Sequence, residues 1–287
     1  MPSFTTPEPI SVTASVEAGS VRLTAGDRTD TVVEVLPRDP QKDQDVRAAE
    51  RTRITCTDGV LTVTTPKQPF SLRRSGTVDV TVGLPTGSHV AVAGSWTQVL
   101  GEGRLGEVRV KTSSGDLRFD TTGALHLEAS HGSITVDRIE GAAEISTSSG
   151  SVRVGTVDGP ATLKNAHGTT TVGTALGDLR VRGTNGDIDI AHAEASVTAS
   201  TAHGTLRLGE VVRGTVRLET AFGSIEVGVR KGTAAWIDAA SGSGQVRNAL
   251  AAAGAPAAAT ADSEAEDTVK VSARTTHGTV DILRARA

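Results

Sequence analysis

Short runs of alternating apolar and polar residues fill most of this chain, and each run follows a glycine. Two and four places after one set of glycines stand Leu117/Phe119, Ile134/Val136, Val152/Val154, Thr170/Val172, Ile188/Ile190, Leu206/Leu208 and Ile225/Val227. Those glycines are Gly115, Gly132, Gly150, Gly168, Gly186, Gly204 and Gly223, spaced by 17, 18, 18, 18, 18 and 19 residues. A second set lies half a period earlier, at Gly106, Gly123, Gly141, Gly159, Gly177, Ala195, Gly214 and Gly232. It introduces Val108/Val110, Leu125/Leu127, Ala143/Ile145, Leu179/Val181 and Val216/Leu218. Alternation of period two marks strands with one buried face. A glycine before each strand predicts a corner at positive φ.

Two strands and two corners per eighteen residues predict one coil of a parallel β-solenoid, an all-β fold. The energetics require stacking. A fully buried aliphatic contributes roughly 1.5–3 kcal/mol, whereas ordering the backbone costs about 1–2 kcal/mol per residue. A single coil with four aliphatics cannot hold itself together, so its stability comes from its neighbours.

Residues 1–100 show the same strand chemistry at irregular spacing, as in "GSVRLTAG", "DGVLTV" and "SGTVDVTVGLP". They are expected to form an irregular β-rich start or cap, with residues 101–287 as the regular solenoid. Pro37 to Thr52 is a charged excursion with room for a short helix. "AAAGAPAAATADSEAED", residues 251–267, interrupts the pattern and is expected to bulge from one corner as a flexible acidic loop. Because Gly242 and Gly278 are 36 residues apart, the last strands are expected two coils further along the stack.

Composition agrees with a thin core of small aliphatics: there are 32 glycines, four phenylalanines, two tryptophans and no tyrosine. A net charge of −4 gives no bias toward nucleic acid. No apolar run reaches transmembrane length, and the opening "MPSFTTPEPISV" has no secretory pattern. The single cysteine, Cys56, excludes an intrachain disulfide framework. The expectation is a cytoplasmic protein.

Candidate chemistry is sparse. Four histidines, His131, His167, His203 and His277, precede a glycine in near-copies such as "STAHGTLRL" and "TTHGTVDI". The first three are 36 residues apart, hence two coils, or about 9.6 Å. His277 is expected three coils beyond His203 at the same corner, with Ser149, Asn185, Phe222 and Ser241 on the intervening coils. That spacing is too wide for imidazoles at about 2.0–2.1 Å from one zinc ion. The histidines are therefore read as left-handed corner residues. Only Asp116, Asp178 and Asp187 occupy the acidic place of a calcium-binding nonapeptide, so no calcium ladder is expected. Asp189, Arg207 and Glu226 are placed to pair between coils. Cys56 is read as packed. No catalytic, cofactor or metal residue is assigned.

The segments "AGDRTDTVVEVLPRD", "GRLGEVRVKTSSGDLRFD", "ETAFGSIEVGVRKGTAAWID" and "ARTTHGTVDIL" span nearly the whole chain. In their order, the sequence resembles the bacterial β-strand-repeat family labelled "putative adhesin", a domain of unknown function, in its actinobacterial form. The resemblance implies a β-solenoid, no established enzymatic activity and no agreed catalytic residues to carry over. The expected function is a non-enzymatic scaffold or interaction protein. It would self-associate through the coil that runs into "ILRARA", unless Arg284 and Arg286 act as charged gatekeepers. The alternatives are a solenoid that recognises a glycan or cell-envelope polymer and, further off, a polysaccharide-acting enzyme.

Overall fold

The computed structural model describes residues 2–66, 76–250 and 267–285. They form two compact units, Met1–Gly150 and Ser151–Ala287. Both are built from the predicted alternation, and every apolar pair named above is buried.

Unit 1 begins with β1 (Ser3–Thr5), β2 (Ser11–Ser15), β3 (Ala18–Gly26) and β4 (Asp30–Pro37). The charged excursion supplies α1 (Asp43–Arg51), followed by β5 (Arg53–Thr57), β6 (Val60–Thr64) and β7 (Val78–Pro85). Then come β8 (His89–Arg104), β9 (Val108–Ser114), β10 (Leu117–Thr122), β11 (Leu125–His131), β12 (Ile134–Ile139) and β13 (Ala143–Ser149). One face of the coils runs β5-β6-β2-β8-β9-β11-β13, and the other β1-β4-β7-β3-β8-β10-β12. The pairings are parallel except β1–β4, β4–β7 and β5–β6. β8 serves both faces: His89–Ala93 pair with β2, and Trp96–Glu102 with β3. Thr97 lies in the bend between these halves, fully buried, and its hydroxyl donates to the Val16 carbonyl at 2.6 Å. Phe119 fills the core opposite Gly101, where a Cβ would stand 2.5 Å from its ring. Glycine at 101 is what lets an aromatic ring into so thin a core.

Unit 2 runs β14 (Val152–Val157), β15 (Ala161–His167), β16 (Thr170–Ala175), β17 (Leu179–Asn185), β18 (Ile188–Ala193), β19 (Val197–His203) and β20 (Leu206–Val211). It continues through β21 (Gly214–Phe222), β22 (Ile225–Val229), β23 (Ala234–Ser243), β24 (Val246–Asn248), β25 (Thr268–His277) and β26 (Val280–Arg284). Its pairings are all parallel, and those from β14 to β22 follow chain order. Within each unit the eighteen-residue, two-stranded coil is observed, and the fold is a parallel β-solenoid.

The order of the last coils differs from expectation. β25 lies between β21 and β23, so that Val271 stands opposite Val216 on one side and Ile237 on the other. β26 likewise lies between β22 and β24. His277 is therefore one coil beyond Phe222, not three coils beyond His203, and its other neighbour is Ser243 rather than Ser241. The coil leading into "ILRARA" is interior to the sheet. Arg284 donates to the carbonyls of Arg230 and Thr233, at 2.9 and 3.0 Å, instead of guarding an edge. Unit 1 has the same device, with β2 and β3 held between the β6/β7 coil and β8. Residues 251–266 of the expected acidic loop, and Arg286, lie outside the described residues.

The corners also differ. The first glycine set adopts positive φ, for example +147° at Gly204, but in the second set only Gly214 and Gly232 do so. Gly106, Gly141 and Gly177 are needed for space instead: at Gly141 a Cβ would stand 2.9 Å from the Ala124 nitrogen. The histidines are not left-handed. Among the described residues Asp58 is the only non-glycine with positive φ. Each corner histidine ends a strand in extended conformation, and the glycine after it makes the turn.

Candidate functional site

Because the corner histidines are extended, their rings project outward in register. In unit 2, His167 pairs with Asn185, Asn185 with His203, His203 with Phe222, and Phe222 with His277. The three exposed rings of His203, Phe222 and His277 stack along the corner, with centroids 5.0 and 4.8 Å apart and planes 6° and 13° from parallel. Asn185 Nδ2 lies 3.1 Å from His167 Nδ1. In unit 1, His131 stands between Ser114 and Ser149. The rings therefore pack on one another. Among the described residues, no three His, Cys, Asp or Glu side chains are placed to hold one metal ion.

The carboxylates of the faces are held by cations. Lys111 Nζ is 2.7 Å from Glu128, and Arg104 Nε donates to Glu140 at 2.9 Å. In unit 2, Arg230 Nε donates to Glu210 at 2.8 Å, and His192 Nδ1 lies 3.0 Å from the same carboxylate. Hydrogen bonds from Lys111, Arg104 and Arg230 hold the pKa values of Glu128, Glu140 and Glu210 below the ordinary carboxylate value. A general acid needs a carboxyl shifted the other way. Arg207 and Glu226 pair as expected, at 3.7 Å.

Two surfaces stand apart from this solvated background. The first is the edge of unit 2. Among the described residues β23 pairs with β25 alone. Ala234 donates its N–H to the Asp267 carbonyl at 3.0 Å. By alternation, Ala235, Ile237, Ala239 and Ser241 aim their N–H and C=O groups away from β25. Trp236 is 82% exposed and borders a hollow of about 530 Å³ with Arg213, Thr215 and Lys270.

The second surface is on unit 1. Residues 91 and 93 of β8 face outward and are both alanine, whereas the same ranks hold Arg109 and Lys111 on β9, and His126 and Glu128 on β11. The missing side chains leave a trough of about 530 Å³ that continues into a further 330 Å³. Its walls carry Ser15, Ser95, Ser113, Ser130 and Ser146. Trp96, 69% exposed, follows Ser95 directly. Neither surface was assigned from sequence. The trough's signal is two outward alanines among charged ranks, visible only once the strands are aligned.

A stack of two-stranded parallel coils with small-residue corners and ion-paired faces defines a repeat solenoid, with no metal-holding cluster among its described residues. The chain belongs to the Toastrack DUF4097 family, whose model matches residues 9–283. Among curated proteins no relative matches. Solved structures that resemble it include a protein described as a "putative adhesin" from Parabacteroides merdae ATCC 43184. That one is 14% identical over 77% of this chain and 92% of its own, with a TM-score of 0.45. A second "putative adhesin", from Bacteroides fragilis NCTC 9343, is 14% identical over 98% and 95%, with a TM-score of 0.38. A "putative lipid binding protein" from Parabacteroides distasonis ATCC 8503 is 11% identical over 99% and 96%, with a TM-score of 0.40.

Proposed function

We propose that this protein is a non-enzymatic, cytoplasmic solenoid scaffold that pairs with a second copy through the edge of β23. The observation that carries this reading is the edge of β23, unblunted among the described residues. Native proteins protect such strands with lysines, prolines, bulges or a covering element. β23 runs ten residues, "AAWIDAASGS", and its one charge, Asp238, is bridged to Arg274 at 2.9 Å. In unit 1 we read residues 1–100 as start and cap, because β6 and β7 are covered by antiparallel β5 and β4, and α1 packs on β4 and β7. Among the described residues β1, β5 and β24 are edge strands too, but short ones of three to five residues, so the long edge of β23 is read as pairing with its own copy, which closes as a two-fold pair rather than growing into a filament. The lowered pKa values of Glu128, Glu140 and Glu210 leave these three ion-paired carboxylates unsuited to general-acid work, which is in keeping with a non-enzymatic role. A free, half-buried Cys56 is compatible with a reducing compartment, and among the described residues no helix is long and apolar enough to cross a membrane.

Light scattering after gel filtration, across a wide concentration range, tests the pairing. The expected result is a mass that rises from one copy to two and then stops. Ala239→Pro removes an N–H on the open side alone and should hold the protein at one copy. A wild-type mass that stays at one copy overturns the reading. A ligand-binding role, toward a glycan or envelope polymer, is the second reading and rests on the unit 1 trough.

A further inference from the structure

The trough offers a more specific inference than binding in general. We propose that it holds a neutral, hydroxyl-rich chain, a glycan, laid along β8 with one sugar ring against Trp96. This rests on the ligand-binding reading above and adds to it the site and the charge class.

Shape comes first. Thr13 and Ser15 of β2, Ala91 and Ala93 of β8, and Arg109 and Lys111 of β9 lie in matched outward ranks. The low central rank is flanked on one side by short hydroxyl side chains and on the other by long cationic ones. At about 4.8 Å between strands and 3.3 Å per residue, the depression is roughly 10 Å wide and 13 Å long from Thr13 to Glu17. It is open along its length, which suits a chain that enters and leaves at the two ends.

Charge then selects the ligand. Two carboxylates, Glu17 and Glu128, and two cations, Arg109 and Lys111, line the connected hollows, so their formal charges cancel. Lys111 is engaged by Glu128, Arg109 Nε donates to Glu107 at 2.8 Å, and Ser95 Oγ donates to Glu17 at 2.9 Å. A polyanion would meet Glu17 and Glu128, and a polycation Arg109 and Lys111. An uncharged chain meets neither penalty. Serine hydroxyls both donate and accept, as sugar hydroxyls do, and the exposed indole of Trp96, next along β8 after the trough's Ser95, supplies an apolar face with a polar edge.

The test uses the full chain carrying Trp236→Phe, which leaves Trp96 as the single tryptophan. Trp96 emission is followed while neutral hexasaccharides of glucose, mannose, xylose and N-acetylglucosamine are added separately, with poly(glycerol phosphate) as the anionic probe. At least one neutral probe should shift the emission with half-saturation at about 1 mM or below. Ala93→Arg fills the trough at an exposed position, and it should weaken that response at least tenfold. A response to poly(glycerol phosphate) alone, or one unchanged by Ala93→Arg, overturns the site and the charge class while leaving ligand binding standing. No response to any probe overturns both.

Discussion

Phe222 stacks on His277 with ring centroids 4.8 Å apart, although β23 and β24 lie between them in the chain. The contact exists because the last coil has slipped inside the one that precedes it. Chain order and stacking order part company here, and this has measurable consequences.

Hydrogen exchange should rank these strands by position in the sheet. β25 is bonded on both sides and β23 on one. Native-state exchange is therefore expected to be slowest in β25, and the outward-facing amides of Ala235, Ile237 and Ala239 should exchange orders of magnitude faster. Equal protection in the two strands at dilute concentration would contradict the observed order.

The ring stack should contribute measurably even at the surface. Aromatic pairs are worth about 0.5–1.5 kcal/mol beyond area burial. Phe222→Ala is expected to lower stability by about 1 kcal/mol in urea unfolding. A double-mutant cycle with His203→Ala should return a coupling of roughly half that or more.

Two glycine substitutions separate backbone strain from crowding. Gly204 sits at φ +147°, and a Cβ there would stand 2.2 Å from the Gly186 carbonyl oxygen. Gly232 sits at φ +88° with nothing within 4 Å of that point. Gly232→Ala should cost about 1–2 kcal/mol, for conformation alone. Gly204→Ala adds a forced backbone shift of about 1–3 kcal/mol, and thermal unfolding should show the larger loss there.

Glu210 gives the pH dependence of unit 2 a definite sign. Its pKa is lowered, first by the Arg230 hydrogen bond and then by His192. A lowered folded value means that the link stabilises fully above the ordinary value near 4.5 and is lost as pH falls through the folded one. The stability difference between wild type and Glu210→Gln should therefore be greatest at neutral pH and shrink progressively in acid. A difference that grew on acidification would reverse the assignment.

Leu117, Ile134, Leu206 and their counterparts were legible because burial repeats every two residues and the coil every eighteen. The intercalation of β25 was not, for a physical reason. Val271/Ala273 and Ile237/Ala239 present the same alternation at the same spacing, so either pair suits the slot beside Val216/Leu218. The distinguishing signs are weak: the exposed Asn248 stands opposite the buried Ile282, and Ala235 opposite the buried Val269. The histidine corners were misread because frequency at turns says nothing about which residue of a His-Gly pair carries the unusual φ. The trough escaped notice because Ala91 and Ala93 look ordinary until Arg109 and Lys111 are set beside them.

The held-in coils also constrain how such a chain can change length over evolution. With β2/β3 and β25/β26 each clasped between two others, a repeat appended beyond either would find its neighbouring edge occupied. Between β9 and β22, by contrast, each unit takes on coils in simple succession. Duplication in that interior stretch adds a layer without disturbing either clasp, so relatives of different size should vary in their middles and agree at their ends.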